Sequence, residues 1–148
     1  MDGAQILIAG VGGLGCSWAK RAHIRTGHGI DLVLIDSDAE TFDYSDAHTI
    51  RLGKELDSTG CAALPPLGEQ RMRQASGVSR TLLEEVEMVL LLTGLGGGTG
   101  TGSAHTISHS LSAKPGFLIV KYRSGTANGQ VWHKSLPDSG DKVLYLSA

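Results

Sequence analysis

This chain of 148 residues has few cysteines, a small net charge and no long apolar run. The two cysteines, Cys16 and Cys61, lie far apart and outside any Cys-x-x-Cys spacing, which argues against a zinc site. The longest apolar runs reach about five residues, too few to cross a bilayer. A formal net charge of −2 supplies no broad positive surface for nucleic acid or for an anionic membrane.

The amino-terminal sequence also lacks the basic-then-apolar pattern of a secretory signal, because it runs directly into a strand-like segment. The missing signal pattern and the presence of only two, widely separated cysteines together predict a reducing, cytoplasmic location. The length suits one domain with its own apolar core, so we expect residues 1–148 to form a single domain.

Short apolar runs alternate with helical or loop segments along the chain. Runs without polar alternation are typical of parallel strands buried on both faces. They occupy residues 6–9, 32–35, 88–92, 117–120 and 143–146, with a further short strand at 49–52. Helices are predicted at 14–26 and at 68–87, the second with a break near Gly77, and residues 122–141 read as a long loop. This order predicts an α/β fold with a doubly wound, mainly parallel sheet flanked by helices.

The segment 94–104 is the most informative part of the chain. It places six glycines and two threonines between an apolar run and a helix-like stretch at 103–112. Glycines allow successive main-chain N–H groups to converge on an anion, and a helix that begins there adds unpaired donors. The segment contains no lysine. Its pattern therefore predicts a phosphate cradle made of main-chain amides and threonine hydroxyls.

A second glycine segment, at 10–15, follows the first strand and matches Gly-x-Gly-x-x-Gly. This context favours close approach to a ligand phosphate, although a plain strand-to-helix turn would use the same glycines. Asp36 ends the second strand, where a carboxylate can hold a ribose hydroxyl, and helix capping by Ser37 or Asp38 is an equal alternative.

Eleven residues make up the predicted nucleotide site. They are Gly10, Gly12, Gly13, Asp36, Gly96, Gly97, Gly98, Thr99, Gly100, Thr101 and Gly102. No nucleophile and base stand in a catalytic spacing, so we assign no catalytic residue. His105 and His109 share one helix face, but further metal ligands are missing, and we predict no metal site there.

The glycine segment 94–104 resembles the signature loop of the tubulin/FtsZ superfamily, in its prokaryotic FtsZ form. The resemblance extends to residues 8–13, 35–39, 52–54 and 68–69, and so covers the amino-terminal, nucleotide-binding half of the family. It implies strand order 3-2-1-4-5-6 and GTP or GDP bound across the carboxyl ends of the strands, with Mg²⁺ as a further ligand. Gly12 and Gly13 would then approach the α-phosphate, and the second glycine segment would surround the β- and γ-phosphates.

Two of the departures of this chain from the family concern the γ-phosphate and the attacking water. A third loop that is glycine-rich in the family reads Cys61-Ala62-Ala63 here, and the acidic loop that completes a neighbouring subunit's active site has no counterpart in the sequence. The resemblance therefore implies a guanine-nucleotide-binding domain with little or no GTPase activity alone. We expect it to self-associate, or to modulate or cap filaments of a full-length partner.

Two other functions remain open from the residues. The start of the chain also resembles ThiF-type adenylation domains, which would make it a Rossmann-type dinucleotide or ATP binder, although that pattern has no second glycine loop. The third alternative is an interaction module that binds no nucleotide. Intact glycine segments argue against it, because unused glycines lower stability by about 0.5–1 kcal/mol each relative to alanine.

Overall fold

The computed structural model describes residues 6–27, 29–53, 60–83, 86–104, 106, 117–120, 129–133 and 144–146. Contacts divide the chain into two compact units, residues 1–110 and 111–148. The prediction of one domain over the whole chain stays a prediction. Each unit is described by itself below.

The first unit is built on a four-stranded parallel sheet. Its strands are β1 (Ile6–Val11), β2 (Asp31–Asp36), β3 (His48–Arg51) and β4 (Met88–Thr93). They lie in the order β3-β2-β1-β4, and every neighbouring pair is parallel. The α/β fold and the first four places of the predicted strand order are confirmed.

Side chains alternate between the two faces of this sheet, and each face has its own core. Leu7, Ala9 and Val11 of β1 lie in one cluster, which also contains Met72, whereas Ile8 lies in the other with Cys16 and Ala19. A strand flanked on both faces cannot alternate apolar and polar residues, which explains the continuous apolar runs. The sheet is therefore doubly wound, as predicted.

Helices surround the sheet. They are α1 (Gly12–Arg25), α2 (Pro65–Gln74), α3 (Ser76–Leu83) and α4 (Gly98–Ala104), with a short 3-10 helix at Ala39–Phe42. The helix expected at 68–87 starts earlier, at a pair of prolines suited to a first helical turn, and breaks at Ala75. The helix expected from Ser103 instead begins inside the glycine segment, at Gly98.

Strand register places the candidate residues at one edge of the sheet. Val11 pairs with Ile35 on one side and with Thr93 on the other, and Asp36 pairs with Arg51. Parallel strands in register end together, so the loops that follow β1, β2, β3 and β4 all leave from the same carboxyl edge. In open α/β sheets ligands bind at this edge.

The second unit contains three antiparallel strands, β5 (Phe117–Val120), β6 (Gly129–His133) and β7 (Leu144–Leu146), in the order β5-β6-β7. The strands expected at 117–120 and 143–146 are found at Phe117–Val120 and Leu144–Leu146, but they pair with β6 instead of continuing the parallel order as strands 5 and 6. The interpretation of 122–141 as a loop was wrong at β6. Its turn signals flank a strand, since turn residues are also what connects antiparallel neighbours.

Among the described helices, none is long and apolar enough to cross a membrane.

Candidate functional site

The two glycine segments contact each other through their main chains. Gly12, which follows β1, has φ +71°, a conformation that glycine adopts without strain. A β-carbon added to Gly12 would lie 3.0 Å from the nitrogen of Gly100. Two segments almost ninety residues apart in the chain therefore meet where neither can carry a side chain.

Helix α4 is in close contact on both of its sides. Gly98 and Gly102 are four residues apart and face the start of α2, where added β-carbons would come 2.7 Å from Cys61 Cβ and 2.7 Å from Glu69 N. Gly100 faces the opposite way, and its added β-carbon would strike the carbonyl oxygen of Gly94. These three glycines are required for packing, whichever ligand binds.

The exposed part of the glycine segment precedes α4. Gly96 and Gly97 are exposed, and β-carbons added there would meet nothing within 4 Å. Gly96 has φ +125° and donates its N–H to Thr101 Oγ1 at 2.8 Å, which holds the turn against the helix. Gly13, at the start of α1, is also exposed. These three glycines leave an open surface at the carboxyl edge of the sheet.

Asp36 lies beneath this surface and is only 3% exposed. Its Oδ1 accepts the N–H of Ser37 at 2.7 Å, and its Oδ2 lies 3.9 Å from where a β-carbon on Gly13 would be. Burial raises the pKa of Asp36 above its ordinary value of 3.8, against hydrogen bonds from Ser37, Thr41 and other neighbours that lower it. The capping role falls to Asp38, whose side chain accepts the N–H of Glu40 in the 3-10 helix.

Ser37 joins this region to the second glycine segment. Its side chain is fully buried, and its hydroxyl lies 2.7 Å from Thr99 Oγ1. Thr99 also bonds the carboxylate of Asp36. Thr93, at the end of β4, donates its hydroxyl to the carbonyl oxygens of Val11 and Gly100. Buried hydroxyls therefore tie the ends of β1, β2 and β4 to α4.

The third loop, residues 60–64, adopts the backbone conformation of a glycine-rich turn without the glycines. Ala62 and Ala63 have φ of 45° and 57°, in the left-handed region that residues with a β-carbon rarely adopt. The loop is closed by a hydrogen bond from Leu64 N–H to the Cys61 carbonyl at 2.7 Å. Such strain persists only where surrounding contacts impose it, and it clusters at functional sites.

Cys61 and Arg71 are among those contacts. Cys61 is 3% exposed, with its sulfur 3.4 Å from Ser37 Oγ. Arg71, on α2, is 9% exposed and directs a guanidinium nitrogen to the Gly60 carbonyl at 3.5 Å and to the Cys61 sulfur at 3.9 Å. The third loop is therefore held in place by the buried cation Arg71 and the buried hydroxyl of Ser37.

The structure thus brings all eleven predicted residues to one region, with different surroundings. Gly10 contacts α1, since its added β-carbon would lie 2.7 Å from Ala19 Cβ. Thr99 and Thr101 bond within the protein. Direct contact of any of these residues with phosphate or ribose stays a prediction. Sequence reasoning placed the third loop with Cys61 near the site but missed Thr93 and Arg71, because side-chain contacts between separate elements leave no spacing pattern in the sequence.

A cavity of about 340 Å³ lies at the other end of the sheet. His23, Asp31, Asp46 and His48 contribute to its lining, near the amino ends of β2 and β3. That edge is not where open α/β sheets bind nucleotides, so the glycine-lined edge is the candidate site.

Within the described part of the chain, no three or more His, Cys, Asp or Glu side chains cluster as metal ligands would. His105 and His109 lie outside the described residues. A magnesium ion at a nucleotide site takes most of its ligands from phosphate and water, so Mg²⁺ stays a prediction.

Comparison with known proteins identifies the family. The sequence model of the Tubulin/FtsZ family, GTPase domain, matches residues 5–127. The chain belongs to the tubulin/FtsZ family. The glycine segments and the third loop all lie within the matched residues, so the resemblance inferred from those segments is confirmed.

Curated FtsZ relatives agree with this assignment. Cell division protein FtsZ 1 of Pyrococcus furiosus is 36% identical over 119 residues, covering 79% of this chain and 32% of that protein. Cell division protein FtsZ 2 of Halobacterium salinarum is 28% identical over 152 residues, covering 96% of this chain and 38% of that protein. The chain spans about a third of the length of the FtsZ relatives that it matches.

Solved FtsZ-like structures share the fold. An empty FtsZ dimer from M. jannaschii superposes with TM-score 0.64 at 31% identity, covering 70% of this chain and 31% of that one. A GTPγS-bound CetZ2 protofilament from Haloferax volcanii gives TM-score 0.60 at 24% identity, covering 70% and 34%. At that identity the second likeness concerns the fold alone.

Asp36 predicts a pH dependence of stability. Because burial raises its pKa, the folded state holds the proton more tightly than the unfolded state. The contribution of this proton to folding stability is complete below pH 3.8, the ordinary pKa of Asp36, and is lost as the pH rises through the folded-state pKa. Asp36→Asn carries no such proton, so it should gain stability relative to wild type over this window. Unfolding temperatures of both proteins across the window measure the difference, and a difference independent of pH would contradict the assignment.

Ala63 predicts a stabilising substitution. Ala63→Gly relieves left-handed strain and should raise the free energy of unfolding by about 0.5–1 kcal/mol after the entropy of the added glycine is subtracted. Ala39→Gly, in the 3-10 helix outside the left-handed region, is the control and should lower it by about 0.5–1 kcal/mol. Urea unfolding measures both. An Ala63→Gly protein no more stable than wild type would show that this backbone is unstrained.

Proposed function

We propose that this tubulin/FtsZ-family chain binds GTP and GDP through its two glycine segments, with little or no GTPase activity alone. The observation that carries the proposal is the open glycine surface of Gly13, Gly96 and Gly97 at the carboxyl edge of the sheet. No side chain of the described residues comes within 4 Å of the β-carbon positions at Gly96 and Gly97, so a phosphate can approach the main chain there.

Each of the two glycine segments contacts a different part of the proposed ligand. Gly12 and Gly13 open α1, a helix of fourteen residues with no acidic residue in its first turn and no side-chain cap. Its first N–H groups and its dipole favour an anion. Gly96 and Gly97 approach from β4. Asp36, beside Gly13, is the proposed ribose contact.

Asp36 is poorly placed to act as a general base in hydrolysis. Its carboxyl group is buried and already accepts hydrogen bonds from Ser37 and Thr99. A general base must reach the water that it activates, and a braced, buried carboxyl group has little freedom to do so. We therefore assign Asp36 no catalytic role.

Thermal stability with GDP, GTP, ATP and NAD in turn tests the proposal. A guanine nucleotide at ~100 times its dissociation constant should add about 2.7 kcal/mol to the free energy of unfolding. Gly97→Asp should abolish this gain, because it puts a carboxylate where phosphate oxygens belong. Gly97→Asn has the same shape without the charge and should retain most of it.

Gly97 is a sharper position for this test than Gly98. A side chain at Gly98 would displace Cys61 whether or not phosphate binds, whereas one at Gly97 has open space. A Gly97→Asp protein that binds GDP like wild type would refute the phosphate assignment. Stabilisation by ATP or NAD alone would instead favour the dinucleotide or adenylate alternative, and no shift with any nucleotide would favour the interaction module.

We further propose that the chain associates with a longer FtsZ-like partner and modulates its filaments. Support comes from the family and from its relatives, since the matched structures include an FtsZ dimer at 31% identity. The expected result is that this chain alone does not sediment as filaments with GTP, but shortens or reduces those of a full-length FtsZ at substoichiometric amounts.

Sedimentation and light scattering measure this effect. The Gly97→Asp protein is the matched control, because it should fold without binding nucleotide. Long homopolymers of this chain alone with GTP, or partner filaments unchanged by it, would contradict the filament proposal and leave nucleotide binding intact.

A further inference from the structure

We infer that Arg71 is a positioning residue that makes the site prefer a nucleoside triphosphate to a diphosphate. It does so by holding the third loop, residues 60–64, and by adding positive charge beneath it. The inference rests on the proposed guanine-nucleotide binding and extends it to the discrimination between the two ligands.

Burial without an acidic partner distinguishes this side chain. Arg71 is 9% exposed, and its hydrogen bonds go to neutral groups, the Gly60 carbonyl and the Cys61 sulfur. No carboxylate in the described residues forms an ion pair with it. Arginines are rarely buried unless an anion is near, because removing the guanidinium from water is costly. Within the described residues the charge of Arg71 has no acidic partner, so an anionic ligand bound at the neighbouring surface would be attracted to it.

The surroundings of Arg71 are shaped to admit the guanidinium. Gly53, after β3, has φ +106°, and a β-carbon there would lie 3.1 Å from Arg71 Nε. The guanidinium therefore passes directly against a main chain that has no side chain at this point. From there it reaches the loop that carries Ala62 and Ala63.

The third loop connects this charge to the glycine segments. Cys61 contacts Ser37, Ser37 contacts Thr99 of α4, and a β-carbon on Gly98 would lie 2.7 Å from Cys61 Cβ. The loop therefore borders the same surface as the second glycine segment, and its exposed alanines are held in a strained conformation. Contacts from Arg71 to Gly60 and Cys61 help to impose that conformation.

We place the third loop beside the terminal phosphate, because it borders the second glycine segment, which the family resemblance assigns to the β- and γ-phosphates. A triphosphate carries one more phosphoryl group and more negative charge than a diphosphate, and a buried cation is screened less by salt than an exposed one. Removing the charge should therefore weaken triphosphate binding more than diphosphate binding. A substitution that only loosened the fold would weaken both alike.

Arg73 provides a matched control on the same helix. It is exposed and pairs with Glu69 one turn away, so neutralising it changes the net charge by the same amount without touching the third loop. Any effect of overall charge would appear equally in Arg71→Gln and Arg73→Gln.

The experiment measures the dissociation constants of GTPγS and GDP for wild type, Arg71→Gln, Arg71→Lys and Arg73→Gln by calorimetry. The preference for GTPγS over GDP should fall by about tenfold in Arg71→Gln, the loss expected for one charge at reduced dielectric. Arg71→Lys, which keeps the charge, should recover most of it, and Arg73→Gln should match wild type. Arg71→Met, which keeps the apolar stem, replaces Arg71→Gln if that protein does not fold.

Two negative outcomes differ in meaning. If wild type binds both nucleotides and every folded Arg71 variant keeps the same preference, the inference is wrong and the proposed function stands. If wild type binds neither nucleotide, the proposed function fails and the role of Arg71 fails with it.

Discussion

Direct contact between main chains, at positions where a β-carbon does not fit, is the constraint on which this site depends. Gly12 meets Gly100, Gly100 meets Gly94, and Gly98 and Gly102 meet the start of α2. Helix α4 contains three glycines in seven residues, which costs about 3 kcal/mol of helix propensity relative to alanine. Close packing on two sides offsets that cost. The same absence of side chains leaves the neighbouring turn open to a ligand, so packing and binding draw on one chemical property.

Buried polar contacts then set the loops relative to one another. Ser37 lies between Thr99 and Cys61, so the loops after β2 and β3 are coupled to α4 through one hydroxyl. These groups are out of water, where a lost partner costs more than an exposed one. The strained Ala62 and Ala63 are held within this network. A loop with alanines thereby keeps the backbone path that glycines would take freely.

Membership of the tubulin/FtsZ family and the geometry of the carboxyl edge support the same ligand class from independent directions. The family match concerns the residue pattern, whereas the open surface at Gly96 and Gly97 concerns the packing around these glycines. The chain spans about a third of the length of its FtsZ relatives, so the activities of whole FtsZ proteins are proposals for this chain. What the described residues themselves provide is an open glycine surface, a buried carboxyl group and a buried cation.

The sequence by itself determined the strands of the first sheet, its parallel order and the location of both glycine segments. These features are local, since apolar runs and glycine spacing reflect burial and backbone freedom residue by residue. Strand β6 was not predicted from the sequence, because the same turn residues occur in a loop and beside an antiparallel strand. Only the tertiary structure decided which glycines pack and which stay open, that Thr99 bonds Ser37, and that Arg71 lies under the third loop. Those distinctions depend on partners distant in the chain, and no local pattern records a distant partner.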